Sequence, residues 1–208
     1  MGSFVFNLVA DERRRLADAL DDLTAEEWQR PSLCGEWTTH EVAAHLNVPF
    51  ETSTGAFLVA MAKARGNFDR ANHRLAVDLA ERMDPAACVA GLRSNAEHRF
   101  TPPGFGPEAP LTDVIVHGCD ILQPVGRSVD VGPEALRVAM CFLVTPKAKR
   151  AFGGAEGLEL DAEDVGLSVG SGAELFGPGR SMVAALAGRS GFIDDLSGPG
   201  VELLRARS

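Results

Sequence analysis

Twelve of the 22 glycines fall within the last 58 residues of a 208-residue chain, and no other feature so limits what the chain can fold into. Glycine weakens a helix interior by roughly 1 kcal/mol relative to alanine, so a segment this rich in it favours turns and short elements over long helices. The first 150 residues hold the other 10 and are free to be helical. Two architectures are therefore expected in one chain. Its length suits one large domain or a medium domain with a small companion, since domains run to roughly 100–200 residues. Hydrophobic residues at 45% and charged residues at 24% exclude a disordered chain.

The first part reads as helices. Phe6, Leu16, Ala19, Leu20 and Leu23 recur at helical spacing, with Asp18, Asp21 and Asp22 on the opposite side. Thr24 with Glu27 forms a capping box that opens a short turn to Trp28, and Pro31 stops it. A second capping box, Thr38 with Glu41, opens a longer helix whose apolar positions run through Leu46, Phe50, Phe57 and Met61 to Gly66, kinked at Pro49. A third segment begins near Asp69 and breaks at Asp84-Pro85, and Pro85 starts a helix to Phe100. Residues 101–110, with four prolines and two glycines, read as a loop. Leu111 to Leu122 is helical again, and Gly132-Pro133 opens a helix through Lys149.

Beyond Gly153-Gly154 the pattern alternates. Leu158, Leu160, Val165, Leu167 and Val169 read as a hairpin, Met182 to Leu186 as a short helix and Phe192 to Leu196 as another. The expected division is a helical part over residues 1–151 and a small α+β part over 152–208, too small to be stable unless it packs on the rest.

Net charge −9 and an isoelectric point near 5.0 disfavour nucleic acid and anionic lipid as partners. No run approaches the ~18 apolar residues of a membrane span. Met1 to Ala10 lacks a basic region and is followed by Asp11 and Glu12, unlike a secretory leader. Cys34, Cys88, Cys119 and Cys141 are widely separated, without a Cys-x-x-Cys, and read as reduced thiols of a cytoplasmic protein.

Asp113, His117 and Asp120 stand at i, i+4 and i+7, a narrow stripe on one helix face. Such a stripe ordinarily faces water. Here no Lys, Arg or Glu occurs between Ala109 and Gly126, and Val114, Val116 and Ile121 border it, so partners are needed. A carboxylate and a histidine one turn apart suit a single cation. His45, set in Val-Ala-Ala-His-Leu, is the best third ligand, the alternative being a satisfied core histidine. Glu41 is one turn before His45 but placed for capping, and His40, His73 and His98 are weaker candidates. Asp120 suits orienting a ligating histidine or pairing near the helix end. Cys34 and Cys119 are extra ligands or small buried hydrophobes.

Residues 31–38, Pro-Ser-Leu-Cys-Gly-Glu-Trp-Thr, followed by Glu41-Val-Ala-Ala-His45-Leu46, resemble the second-helix signature of the actinobacterial mycothiol-dependent maleylpyruvate isomerase family, within the DinB-like metal-binding helical superfamily. Asp113-Val-Ile-Val-His117-Gly-Cys-Asp120 resembles its carboxylate-x-x-x-His motif, where the family commonly has Glu in place of Asp113. Leu167 to Gly170, Gly177-Pro178, Leu186 to Arg189 and Leu196 to Gly198 look like its small sterol-carrier-like C-terminal part. The resemblance implies an up-and-down bundle of four main helices in which His45, Asp113 and His117 hold one divalent metal, zinc first and nickel or iron as alternatives. It implies mycothiol as co-substrate, and Arg189 as a clamp for a substrate carboxylate, against the simpler reading of a surface arginine after a terminating glycine.

A three-ligand metal leaves room for a thiol, and coordination ionises it into a nucleophile. The expected function is a metal-dependent thiol S-transferase or isomerase acting on a small electrophile. The alternative is a non-catalytic metal protein that senses or stores a small ligand.

Overall fold

The computed structural model describes residues 2–128, 130–152 and 154–207, so Gly153 of the Gly153-Gly154 signal lies outside the described residues. The fold is mainly α, with a small three-stranded sheet near the C-terminus. Its helices are α1 Gly2–Asp21, α2 Ala25–Trp28, α3 Thr39–Glu51, α4 Thr54–Lys63, α5 Phe68–Ala80, α6 Pro85–Ser94, α7 Glu108–Leu122, α8 Pro133–Leu143 and α9 Pro146–Phe152. Strands β1 Leu158–Ala162, β2 Leu167–Gly170 and β3 Ala173–Phe176 follow, then α10 Gly179–Leu186 and α11 Gly200–Arg205.

Both capping boxes form: Thr24 accepts from the Glu27 amide and Thr38 from the Glu41 amide, while each glutamate returns to the threonine amide. Several boundaries depart from the sequence reading. The helix expected to run from Thr38 to Gly66 ends at Glu51, because Thr52 turns extended and the next residue, Ser53, caps a fresh helix through the Ala56 amide. Pro49 is accommodated inside α3, and the chain breaks later than the proline itself. The helix expected through Lys149 breaks after Leu143, and Pro146 starts α9. The helix from Pro85 stops at Ser94 rather than Phe100. The loop of residues 101–110 yields its last three residues to the first turn of α7, where Pro110 lacks no helical donor. Residues 190–195 form a 3-10 turn.

The chain divides into two compact units that do not follow chain order: residues 13–100 with 117–129, and residues 1–12 with 101–116 and 130–208. In the first, α3 packs on α5 and α6, and α4 on α5. Asn47 ties α3 to α6 by donating from Nδ2 to the Cys88 carbonyl at 3.1 Å. A side chain at Gly91 would place a Cβ 2.2 Å from Asn47 Oδ1, so only glycine permits this approach. The buried Arg13 donates to the carbonyls of Ala96 (3.0 Å) and His98 (2.8 Å) beyond the end of α6, and its guanidinium lies over Phe50.

In the second unit the sheet order is β2-β1-β3. The expected hairpin is present, with Leu160 opposite Val169, and β3 adds a parallel neighbour that aligns Leu160 with Leu175. Leu158, Leu160 and Ala162 point inward. Gly172, at φ 137°, is obligatory because a Cβ there would lie 2.0 Å from the Gly157 carbonyl oxygen. Glu12 accepts from the Gly132 amide at the start of α8, and Asp164 accepts from the Gly179 amide at the start of α10, each carboxylate meeting a helix N-terminus. Among the described residues, no helix is long and apolar enough to cross a membrane.

Candidate metal centre

The site begins with a tight turn over residues 31–38. Pro31 and Thr38 form an isolated antiparallel bridge, and the Ser32 amide and hydroxyl both donate to the Trp37 carbonyl, at 2.8 and 2.7 Å. Gly35, at φ 62°, reverses the chain between Cys34 and Trp37. The Leu33 amide donates to the Asp120 carbonyl at 3.1 Å and so fastens this turn to the end of α7. The capping box of α3 follows directly. Glu41 Oε2 accepts from the Thr38 amide at 2.7 Å and from its hydroxyl at 2.9 Å, which commits Glu41 to capping as its position three residues after Thr38 suggested.

Two turns into α3, His45 is buried at 8% exposure, and His117 on α7 is buried to the same degree. Their rings meet edge to face with centroids 4.7 Å apart. Asp113 precedes His117 by one turn of an unbroken helix, and one ligand atom each of His45, Asp113 and His117 lies within 4.8 Å of the others. The stripe expected to be shielded as a whole is mixed: Asp113 is exposed, whereas Asp120 is fully buried.

Asp120 Oδ2 lies 2.8 Å from His117 Nδ1. With Nδ1 carrying the proton, the ring is held in one orientation and Nε2 keeps the lone pair a metal requires. Of the two uses the spacing of Asp120 left open, orienting a histidine or pairing near the helix end, both are compatible with this contact. Cys34, His117 and Asp120 form a second group of ligand atoms within 4.8 Å of one another. The Nδ1 that Asp120 occupies cannot at the same time bind an ion, so the His45 set is the better donor set.

Trp37, absent from the sequence reading as a site residue, lies against this cluster. It is 8% exposed, with its ring 5.2 Å from His45, 6.5 Å from His117 and 5.5 Å from His73, on which it stacks at 14°. His73 is exposed as expected, yet close to the site through that stack. The other two histidines are engaged elsewhere. His40 Nε2 is 2.7 Å from the Met83 carbonyl, and His98 Nδ1 accepts from the Phe100 amide at 3.2 Å. Cys88 is buried, and burial first and Asp84 second push its thiol up to about 12, which leaves it inert. Arg189 is half-buried, its Nη1 donating to the Ala187 carbonyl at 2.6 Å.

A divalent cation fits this set on chemical grounds. Two imidazoles and a carboxylate converge, one imidazole is braced through its far nitrogen, and the donors are those of open rather than closed zinc sites. Fold and site together define a helical-bundle protein with a two-histidine, one-carboxylate candidate metal centre and a small α+β segment. Residues 9–102 match the model of the mycothiol maleylpyruvate isomerase N-terminal domain. The matched stretch includes His45 and Trp37 and ends before Asp113 and His117. The fold is similar to the crystal structure of a mycothiol-dependent maleylpyruvate isomerase, with a TM-score of 0.59 and 17% identity over 96% of this chain and 93% of that one. A histidine-to-alanine mutant of that enzyme aligns with the same scores. No curated protein matches the chain.

Proposed function

We propose that this protein is an enzyme that uses a low-molecular-weight thiol of the mycothiol type to isomerise, or to attach to, a small electrophilic substrate, at a divalent metal held by His45, Asp113 and His117. The observation that carries this reading is the convergence of those three side chains with Asp120 engaged on the far side of His117. The matched domain and the fold of a mycothiol-dependent isomerase support the thiol and the reaction class. When bound, a metal of the zinc type, with nickel or iron as alternatives, would supply Lewis acidity that lets a thiol ionise near neutral pH.

The reaction class balances with no other reagent. Addition of a thiolate to an activated cis double bond forms a C–S bond and leaves a single bond free to rotate. Expulsion of the same thiolate breaks the C–S bond and returns the trans alkene, so the thiol is regenerated. Protonation of the adduct carbon before expulsion gives S-transfer instead.

The chain's own residues supply position. His117 is fixed by Asp120, His45 is fixed by the capped helix it sits on, and Trp37 gives the pair an apolar wall. We assign Arg189 to a substrate carboxylate. A guanidinium presents five donors in a planar fork, so its bond to Ala187 is compatible with that task. The small α+β part over residues 152–208, which carries Arg189, is proposed as the substrate-recognition part beside a metal-binding part over 1–151, and the protein is assigned to the cytoplasm.

The test is direct. Zinc-loaded protein should isomerise maleylpyruvate only when mycothiol is added, and His45→Ala should lose bound metal and turnover together. Cobalt-substituted protein should change its visible spectrum on adding the thiol. An unchanged spectrum with no turnover would sink the reading, and a changed spectrum without turnover on any cis-alkene acid would favour a ligand-binding role.

A further inference from the structure

Trp37 Nε1 is shut away from solvent and has no hydrogen-bond partner, an arrangement that is costly unless something else accepts the hydrogen bond. An indole N–H only donates, so it cannot ligate a cation, and its missing partner must be an acceptor. The side chain is more than nine-tenths buried, and its ring lies against both His45 and His117. His73 stacks on it at 5.5 Å and shields it from water. The turn that places Trp37 is tightly determined, with Ser32 bonded twice to its carbonyl and Leu33 tied to Asp120, so the indole is held there by its own framework.

We propose that Trp37 is a ligand-binding residue of this site, its indole N–H donating to an oxygen of a small organic anion, a carboxylate or enolate, taken up beside His45 and His117. The inference rests on the reading of that cluster as the reaction site, and it adds a recognition element that works without participating in bond making. A neutral donor suits this place: it can hold a developing negative charge on oxygen in a dry setting without competing for the metal or for the thiol. The flat apolar ring also suits an unsaturated acid, whose planar face it can cover. The competing explanation is an enclosed water shared with Thr39, whose Oγ1 is likewise buried and unpartnered.

The chain contains two tryptophans and no tyrosine, so two indole N–H resonances report on it. In protein labelled with nitrogen-15 at tryptophan, substituting Trp28→Phe or Trp37→Phe assigns them. Maleate is the probe, added to zinc-free and to zinc-loaded wild-type protein. The Trp37 indole proton should move downfield on saturation, by an amount larger than any change at Trp28, and Trp37→Phe should bind maleate about tenfold more weakly while its zinc affinity is unchanged. His73→Ala, which leaves the donor in place, should keep the Trp37 response. A Trp37 resonance unmoved by saturating maleate, or a Trp37→Phe variant with wild-type maleate affinity, overturns the proposal and leaves the enclosed water. Zinc uptake with an unmoved Trp37 sinks this inference alone. A Trp37 response in a protein that takes up no zinc supports it and sinks the metal reading instead.

Discussion

His117 stands between two acids on its own helix, Asp113 four residues before it and Asp120 three after, and the two have different surroundings. Asp120 is fully buried and bonded to Nδ1, whereas Asp113 is exposed and belongs with the ligand atoms of His45 and His117. Burial decides the division: an acid with no access to water must be paired, and the imidazole N–H is its partner. Substituting Asp120→Asn removes the charge that holds the ring but keeps the shape, and zinc affinity, measured by chelator competition, should fall roughly 10–100-fold. Asp113→Asn should reduce bound metal at least as much while leaving thermal stability near wild type, because its side chain is exposed. An Asp120→Asn protein with unchanged affinity would remove that residue from the site. Acidification should weaken metal binding too, since histidine ligates only when neutral.

Among the elements, α2 and α3 show why some of the molecule can be read from its sequence. Thr24-x-x-Glu27 and Thr38-x-x-Glu41 are local rules, satisfied within four residues, and both hold in the structure. His45 as a buried member of the candidate site was legible for a related reason, since its Val-Ala-Ala-His-Leu context marks an imidazole turned away from water. The break at Thr52-Ser53 was not, because it depends on Ser53 winning the Ala56 amide against continuation of a good apolar pattern. Trp37 and His73 were not legible either. Their stack joins residues 36 positions apart, on a turn and on α5, and no periodicity announces it. Strand β3 is four residues long, too short for an alternation signal. The capping box of α2 carries its own test. Glu27 is held below the ordinary glutamate range chiefly by the Thr24 amide and hydroxyl, with Arg127 contributing. A lowered folded-state value means that this stabilisation is complete above the unfolded value, ~4.3 for glutamate, and is lost as pH falls through the folded one. Thermal stability of wild type should therefore decline more steeply below about pH 4 than that of Glu27→Gln, with the two curves converging in acid. Parallel curves would show that Glu27 contributes nothing specific.

At the scale of the molecule, the change of architecture near residue 152 and the grouping of residues into compact units are different properties. The unit that contains the sheet also contains α8, and α10, the 3-10 turn of residues 163–165 and β2 all pack on α8. The apolar face of α8, with Ala135, Leu136, Ala139, Met140 and Leu143 buried, is therefore covered in part by residues that follow position 152. Arg137 on the same helix donates to the Val165 carbonyl, a further tie between α8 and the later segment. A chain stopped at residue 152 would expose that face. Burial of a leucine or methionine side chain is worth roughly 1.5–3 kcal/mol, and three such residues approach the whole stability of an ordinary domain, about 5–15 kcal/mol. Residues 1–152 expressed alone should therefore bind a hydrophobic dye, resist proteolysis less than the full chain and lose the sharp side of their thermal transition, whatever metal is present. A milder lesion in the same unit should act in the same direction. Gly172→Ala forces a Cβ onto the Gly157 carbonyl at a φ that L side chains rarely adopt, and it should destabilise the sheet while leaving His45 and His117 intact. Full zinc uptake by Gly172→Ala at low temperature, combined with a lowered melting temperature, is the expected pair of results. A 1–152 fragment that is monomeric, dye-negative and cooperative would show that α8 finds its stability without the sheet, and would make residue 152 a true domain boundary.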